Sequence, residues 1–223
     1  MRKAELAKRI DHTLLGPTAS KADLTRWCEE AKKYGFAAVA LNPCHVSLAH
    51  ALLKDSPVKV CAVVGFPHGM ASPDAKAFEA QRAIADGAEE LDMVLNVAAL
   101  KEMDYVAVLA DIRAVTATAA KGPRPVLVKV ILETCLLTEA EKVAGAILSK
   151  AGGAAFVKTS TGFAASGATV EDIALLRRTV GPEMGVKASG GIRDYATAVA
   201  MIEAGASRIG ASRSLAILEG APE

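Results

Sequence analysis

Three lysines stand inside apolar runs: Lys129 in Val128-Lys129-Val130, Lys158 in Phe156-Val157-Lys158-Thr159, and Lys187 in Gly185-Val186-Lys187-Ala188. Successive members are 29 residues apart, close to the length of one strand-helix unit, which places them on successive strands. Lysine is rarely buried without a partner, so any one of them has an ordinary reading in which its stem packs and its ammonium meets a carboxylate such as Asp92 or Glu133. Three together suggest chemistry. At an ordinary pKa of about 10.4, roughly one lysine in 2,500 is neutral at pH 7. A neighbouring cation and burial both disfavour the ammonium, and a drop of about three units corresponds to roughly 4 kcal/mol. That frees an amine to attack a carbonyl. Lys158 and Lys187 read as nucleophile and activator.

Asp92, in Glu90-Leu91-Asp92-Met93-Val94, is a second charge set inside an apolar strand. It could shuttle a proton to and from carbon. It could equally form a structural salt bridge to Lys129 or Lys158. Asp11 and His12, in Ile10-Asp11-His12-Thr13-Leu14, could touch substrate hydroxyls or satisfy buried backbone groups. Two glycine-rich turns, Ser189-Gly190-Gly191-Ile192-Arg193 and Ile209-Gly210-Ala211-Ser212-Arg213-Ser214, offer bare N–H groups of the kind that bind phosphate, the second opening a short helix. Neither an H-E-x-x-H run nor a paired-cysteine spacing occurs, so no metal is expected.

These residues need elements to hold them. Tyr34-Gly35-Phe36, Asp86-Gly87-Ala88, Gly152-Gly153-Ala154 and Ala204-Gly205-Ala206 each read as a helix end leading into a strand, with glycine supplying a left-handed C-terminal turn. Start signals are Ser20-x-x-Asp23, Ser72-Pro73, Thr138-x-x-Glu141 and Thr169-x-x-Asp172. Leu24, Trp27, Cys28 and Ala31 follow helical spacing, which assigns Trp27 to packing. Strands are expected at Ile10–Leu14, Ala37–Leu41, Lys59–Val64, Leu91–Leu95, Val126–Leu132, Phe156–Lys158, Gly185–Ala188 and Arg208–Ile209. Their near-continuous apolar character suits parallel strands buried on both faces. Eight strands alternating with helices predict a single α/β domain over residues 1–223, a (β/α)₈ TIM barrel with a short extra N-terminal helix. A doubly wound sheet is the rival, though no G-x-G-x-x-G follows the first strand. In a barrel, the lysines and both glycine turns converge on the C-terminal ends of the strands.

Composition narrows the remaining classes. With 223 residues, a net charge of +1 and 52% hydrophobic content, the chain should fold and carries no bulk charge for a polyanion. Its nine aromatics are too few for a base-stacking platform, so nucleic acid is not an expected partner. The four cysteines form no C-x-x-C pair, and no apolar run approaches the roughly 20 residues that span a bilayer. A soluble, cytoplasmic protein is expected.

The motifs Asp11-His12-Thr13-Leu14-Leu15, Val63 to Gly69, Glu90 to Val94, Val128 to Thr134, Val157-Lys158-Thr159-Ser160-Thr161-Gly162-Phe163, Val186 to Arg193 and Ile209-Gly210-Ala211-Ser212 together resemble the deoxyribose-phosphate aldolases. These are class I aldolases on a (β/α)₈ barrel, and the similarity runs over nearly the whole chain. The resemblance implies reversible cleavage of 2-deoxy-D-ribose 5-phosphate to acetaldehyde and D-glyceraldehyde 3-phosphate, in deoxyribose phosphate catabolism, with no cofactor. It implies that Lys158 forms the Schiff base, Lys187 tunes its pKa and Asp92 joins a proton relay. It places Asp11, Thr13, Lys129, Thr161 and Gly162 at the substrate, and Gly190, Gly191, Gly210 and Ser212 at the phosphate. Family members are often dimers or tetramers, so a homo-oligomer is expected. Ala40 stands where many relatives carry cysteine, and Phe163 occupies a position that is basic in some, which removes a phosphate contact. Other readings of the residues are a different class I aldolase, a phosphate-binding barrel isomerase, and a non-catalytic phosphate-binding protein.

Overall fold

The computed structural model describes residues 1–223. A short helix α1 (Lys3–Ala7) precedes eight strands: β1 (Ile10–Leu14), β2 (Ala38–Leu41), β3 (Lys59–Val64), β4 (Glu90–Val94), β5 (Leu127–Ile131), β6 (Phe156–Lys158), β7 (Gly185–Ser189) and β8 (Arg208–Ala211). Helices α2 (Lys21–Tyr34), α3 (Val46–Leu53), α4 (Pro73–Ala85), α5 (Val97–Lys101) and α6 (Tyr105–Ala120) alternate with the first five strands. Then come α7 (Glu139–Ala151), α8 (Val170–Val180), α9 (Tyr195–Glu203) and the terminal α10 (Ser214–Glu219). All strand pairs are parallel, and β8 pairs with β1, which closes the barrel and excludes the doubly wound sheet. No helix is long and apolar enough to cross a membrane.

The start signals act as read. At Ser20 and Thr138 the hydroxyl accepts the backbone N–H three residues on, while the side chain of Asp23 or Glu141 accepts the cap residue's own N–H. Thr169 accepts from the Asp172 N–H, and Ser72 from Ala75 with Pro73 at the first helical position. Gly35 closes α2 with φ at 70°.

Strand alternation sorts the side chains into two populations. Ile10, Val39, Leu41, Val60, Leu91, Met93, Val128, Val130, Val157, Val186 and Ile209 face outward into a 50-residue core between barrel and helices. Trp27 sits on that outer side, stacked on His12 with ring centroids 5.0 Å apart. The alternate positions, Asp11, Glu90, Asp92, Lys129, Lys158, Lys187 and Arg208, meet inside the barrel, with only Ala38, Ala40 and Cys61 forming a small apolar cluster there. The strands are therefore apolar on the outer face and mixed on the inner one, where Val63, Val94 and Ile131 accompany the charges. They read as continuous apolar runs because small residues fill β2 and β3 on the charged side.

Strand limits shift by a residue or two in β2, β4, β5, β7 and β8, and the last is informative. β8 continues through Gly210 and Ala211, where a turn was expected: Gly210 pairs with Asp11 on one side and Ser189 on the other. A Cβ at Gly210 would lie 3.0 Å from Lys187 Cε, so glycine here makes room for a lysine stem. Lys158 and Lys187 are register partners, as equal spacing suggested, but Lys129 pairs with Phe156, two residues before Lys158.

Gly35 and Gly69 separate two costs of adding a Cβ. Both have φ of 70°, but a Cβ at Gly35 meets open space, whereas one at Gly69 would fall 2.0 Å from the Leu95 carbonyl oxygen. Gly35→Ala should lower stability by about 1 kcal/mol through backbone strain alone. Gly69→Ala should lower it clearly more; urea midpoints at unchanged m-value check this, and equal losses would contradict it.

Candidate active site

The inward-facing charges form one connected cluster. Asp92, fully buried, accepts from Lys158 (2.8 Å) and Lys187 (2.7 Å) on Oδ2, and from Lys129 (2.8 Å) and the Cys61 thiol (3.2 Å) on Oδ1. Asp11 pairs with Lys187 and with Arg208 (2.6 Å). Glu90 pairs with Lys129 (2.6 Å) and Arg208 (3.3 Å). The salt bridges read for Asp92, to Lys129 and to Lys158, both occur, and the cluster holds three carboxylates. Glu90 and Arg208 had gone unread; Glu90 sits two residues before Asp92, the period at which a strand repeats a face.

Four cations meet three carboxylates, so one positive charge is in excess, and burial makes that excess expensive. Lys187 and Lys129 each contact at least two acids. Burial works against their ammonium groups, but Asp11 and Asp92 hold Lys187 above its ordinary pKa, and Asp92, Glu90 and Asp11 hold Lys129 well above. Lys158 has only Asp92, which is shared with the other two lysines. Desolvation lowers its pKa, Asp92 opposes this, and the Lys187 charge lowers it further. The odd cation is the one that can give up its proton. Burial pushes the Cys61 thiol up to about 12, so it adds no charge to this balance.

Lys158 is also the only one of the three lysines that reaches the cavity at the C-terminal end of the barrel. That cavity, about 290 Å³, is lined by Lys158, Thr13, Thr161, Gly162, Gly190, Gly191, Gly210 and Ser212, together with Phe163 and Arg193 among others. Asp92 and Lys187 lie beneath it, Asp92 bonded to Lys158 and Lys187 donating to the same Asp92 oxygen. Two expectations are corrected here. Asp11 and Lys129 were placed against substrate, but both are fully buried below the cavity and committed to Lys187, Arg208, Glu90 and Asp92. His12, one residue from Asp11, points the opposite way, between Trp27 and Phe36, and bonds Glu30 and Ser214. Glu133, offered as a lysine partner, instead accepts from Thr161.

The glycine turns lie at the cavity as read. Gly190 and Gly191 have φ of 84° and 79°, and Gly190 passes so close to Gly167 that its Cβ position is 2.9 Å from the Gly167 Cα. Arg193 supplies a cation on this wall, beside Phe163. Phe163 packs edge-on against Phe66, which with Pro67 and His68 belongs to the loop after β3. Asp11, Cys61 and Glu90 bring potential ligand atoms within 4.8 Å of one another. Their carboxylates are already matched to ammonium and guanidinium groups and the thiol is held protonated, so this donor set does not suit a metal ion.

Residues 6–220 match the family model of the DeoC/LacD family aldolases. The chain is 58% identical over 220 residues to a deoxyribose-phosphate aldolase of Clostridium perfringens, covering 99% of this chain and 97% of the relative. It is 55% identical over 225 residues to a deoxyribose-phosphate aldolase of Thermococcus kodakarensis, covering 100% of both. A tetrameric deoxyribose phosphate aldolase from Aeropyrum pernix superposes with a TM-score of 0.89 at 37% identity, covering 97% of this chain and 91% of the other.

Burial alone would raise the Asp11 pKa, but Lys187, Lys129 and Arg208 outweigh it and bring the carboxyl from 3.8 to about 2. A depressed carboxyl stabilises the fold above its unfolded pKa, and that contribution disappears as protons bind on the way down. Stability should therefore fall as pH drops from about 4 towards 2. Asp11→Asn should be less stable at neutral pH yet show a shallower acid limb in chemical denaturation; a parallel acid limb would contradict this.

Proposed function

The chain belongs to the DeoC/LacD family of aldolases, and on that footing we propose that it cleaves 2-deoxy-D-ribose 5-phosphate reversibly to acetaldehyde and D-glyceraldehyde 3-phosphate through an imine on Lys158. The observation that carries this reading is the single excess positive charge in the buried cluster, which falls on the one lysine that lines the cavity. The neutral Lys158 amine adds to the substrate carbonyl, and loss of water leaves a protonated imine. That imine draws the electron pair of the C–C bond one carbon further along as it breaks and becomes an enamine, while the hydroxyl on the departing carbon loses its proton and becomes the first product aldehyde; protonation of the enamine carbon and hydrolysis then release acetaldehyde and the free Lys158 amine. Because the imine is itself the electron sink, neither a metal nor an organic cofactor enters the reaction.

Lys187 keeps Lys158 acidic by its charge, and Asp92 accepts from both, so these two groups supply the proton relay next to the imine. Asp11 and Lys129 serve one step back, holding Lys187 and Asp92 in their ionised forms. Thr13, Thr161 and Gly162 border the carbon chain of the substrate. The phosphate lies against the N–H groups of Gly190 and Gly191, Gly210 and the Ser212 hydroxyl, with Arg193 as countercharge. The relative from Aeropyrum pernix is a tetramer, which supports a homo-oligomer, here placed in the cytoplasm in deoxyribose phosphate catabolism.

Borohydride reduction with acetaldehyde should add two carbons to Lys158, read by peptide mass. Lys158→Leu should abolish both the adduct and cleavage; an adduct on another lysine would move the nucleophile. Lys187→Leu removes the neighbouring positive charge, so the Lys158 pKa rises and the basic-going limb of the kcat/KM profile should move to higher pH. An unmoved profile would count against its electrostatic role. Ser212→Asp should raise KM for the phosphorylated substrate much more than for 2-deoxyribose, and equal effects would displace the phosphate from this wall.

A further inference from the structure

Two non-glycine residues have positive φ, Met103 at 58° and Glu133 at 56°. Met103 lies in an exposed turn, but Glu133 is buried beside the cavity, at the end of β5. A left-handed conformation costs a residue with a Cβ on the order of 1 kcal/mol, and it persists only where surrounding contacts hold it. The Glu133 carbonyl accepts the Leu136 N–H at 3.0 Å, and its side-chain hydrogen bonds run to one residue. The Glu133 side chain forms no ion pair with the lysine cluster and accepts the N–H of Thr161 at 3.3 Å and the Thr161 hydroxyl in a short hydrogen bond.

The consequence is a matter of counting protons and lone pairs. A threonine hydroxyl has one proton and two lone pairs. The Thr161 proton goes to Glu133, and one lone pair accepts the Phe163 N–H at 3.1 Å. One lone pair remains, on a residue that lines the cavity with Lys158. Toward a ligand, Thr161 is therefore an acceptor and cannot be a donor. A donating hydroxyl is matched there; a carbonyl or ether oxygen is not.

We propose that Glu133 is a positioning residue that fixes the Thr161 hydroxyl as an acceptor for a substrate hydroxyl lying between the imine and the phosphate, and so sets the preference for a hydroxylated acceptor aldehyde. This rests on the aldolase reading above. Glu133 does not touch substrate; it acts through the orientation of Thr161, using a strained backbone to aim its carboxylate at the loop that borders Lys158.

Condensation of acetaldehyde is measured with D-glyceraldehyde 3-phosphate and with 3-oxopropyl phosphate, which lacks the hydroxyl next to the aldehyde. For Glu133→Ala, kcat/KM with the hydroxylated acceptor should fall on the order of 10- to 100-fold, as expected for losing a hydrogen bond aligned by a charged group. With the other acceptor it should stay within about twofold, since no matching hydroxyl is present. Thr161→Val should lower the ratio of kcat/KM for the hydroxylated over the other acceptor to the same extent, Thr161→Ser should retain that ratio, and Glu133→Ala with Thr161→Val should change it no further than either alone. Equal losses on both acceptors, or additive losses in the double variant, would overturn the assignment. Should Glu133→Ala not fold, Glu133→Leu carries the same comparison, because it keeps the side-chain bulk and removes the acceptor of the Thr161 donors. Borohydride trapping of acetaldehyde on Lys158 should persist in every variant. Trapping lost only in the Glu133 variants would overturn the proposal, whereas no trapping in the unsubstituted protein would be a failure of the imine reading.

Discussion

One buried carboxylate, Asp92, is shared by three ammonium groups, and the interior of the barrel is built around that shortage of negative charge. Charges removed from water must be matched or neutralised. Asp11 and Glu90 complete the matching for Lys187, Lys129 and Arg208, and what they leave unmatched is Lys158. The size of the neighbours follows from the same constraint. Gly210 and Cys61 occupy inward positions against lysines: a Cβ at Gly210 would lie 3.0 Å from Lys187 Cε, and Cys61 Sγ is 3.3 Å from Lys129 Nζ.

Such a cluster is a poor source of stability, because desolvation consumes much of what pairing returns. Stability is carried elsewhere. The outward faces of the same strands supply the 50-residue apolar core against the helices, and the capped helix starts at Ser20, Ser72, Thr138 and Thr169 fix where those helices begin. This division between an outer layer that holds and an inner one that reacts lets a single strand such as β4 serve both, with Leu91 and Met93 outward and Glu90 and Asp92 inward.

The strand and helix order, the closing capacity of eight units and the choice of Lys158, Lys187 and Asp92, which meet in one cluster, could be read before any coordinates, because each rests on local pattern: glycine after a helix, a cap before one, a charge inside an apolar run. What escaped depends on register and closure. Nothing local to β1 says that Asp11 faces Lys187 across the barrel while His12 faces Trp27 on the outside. Gly210 looked like a turn because its reason, the stem of Lys187, arrives from a different strand. Lys129 followed the 29-residue spacing yet lies beneath the cavity, since equal spacing along a chain does not guarantee equal register in a sheared barrel. Glu133 bears no local mark at all; its left-handed backbone and its bond to Thr161 appear only in three dimensions.

The distribution of protons among the three lysines can be observed directly by nuclear magnetic resonance of the protein carrying ¹³C-labelled lysine side chains, with Lys158 assigned from the Lys158→Leu spectrum. The charge count predicts that Lys158 titrates below the ordinary lysine pKa of about 10.4 while Lys129 and Lys187 remain charged beyond it. A Lys158 resonance that titrates at or above the ordinary value, or a Lys187 that loses its proton first, would contradict it.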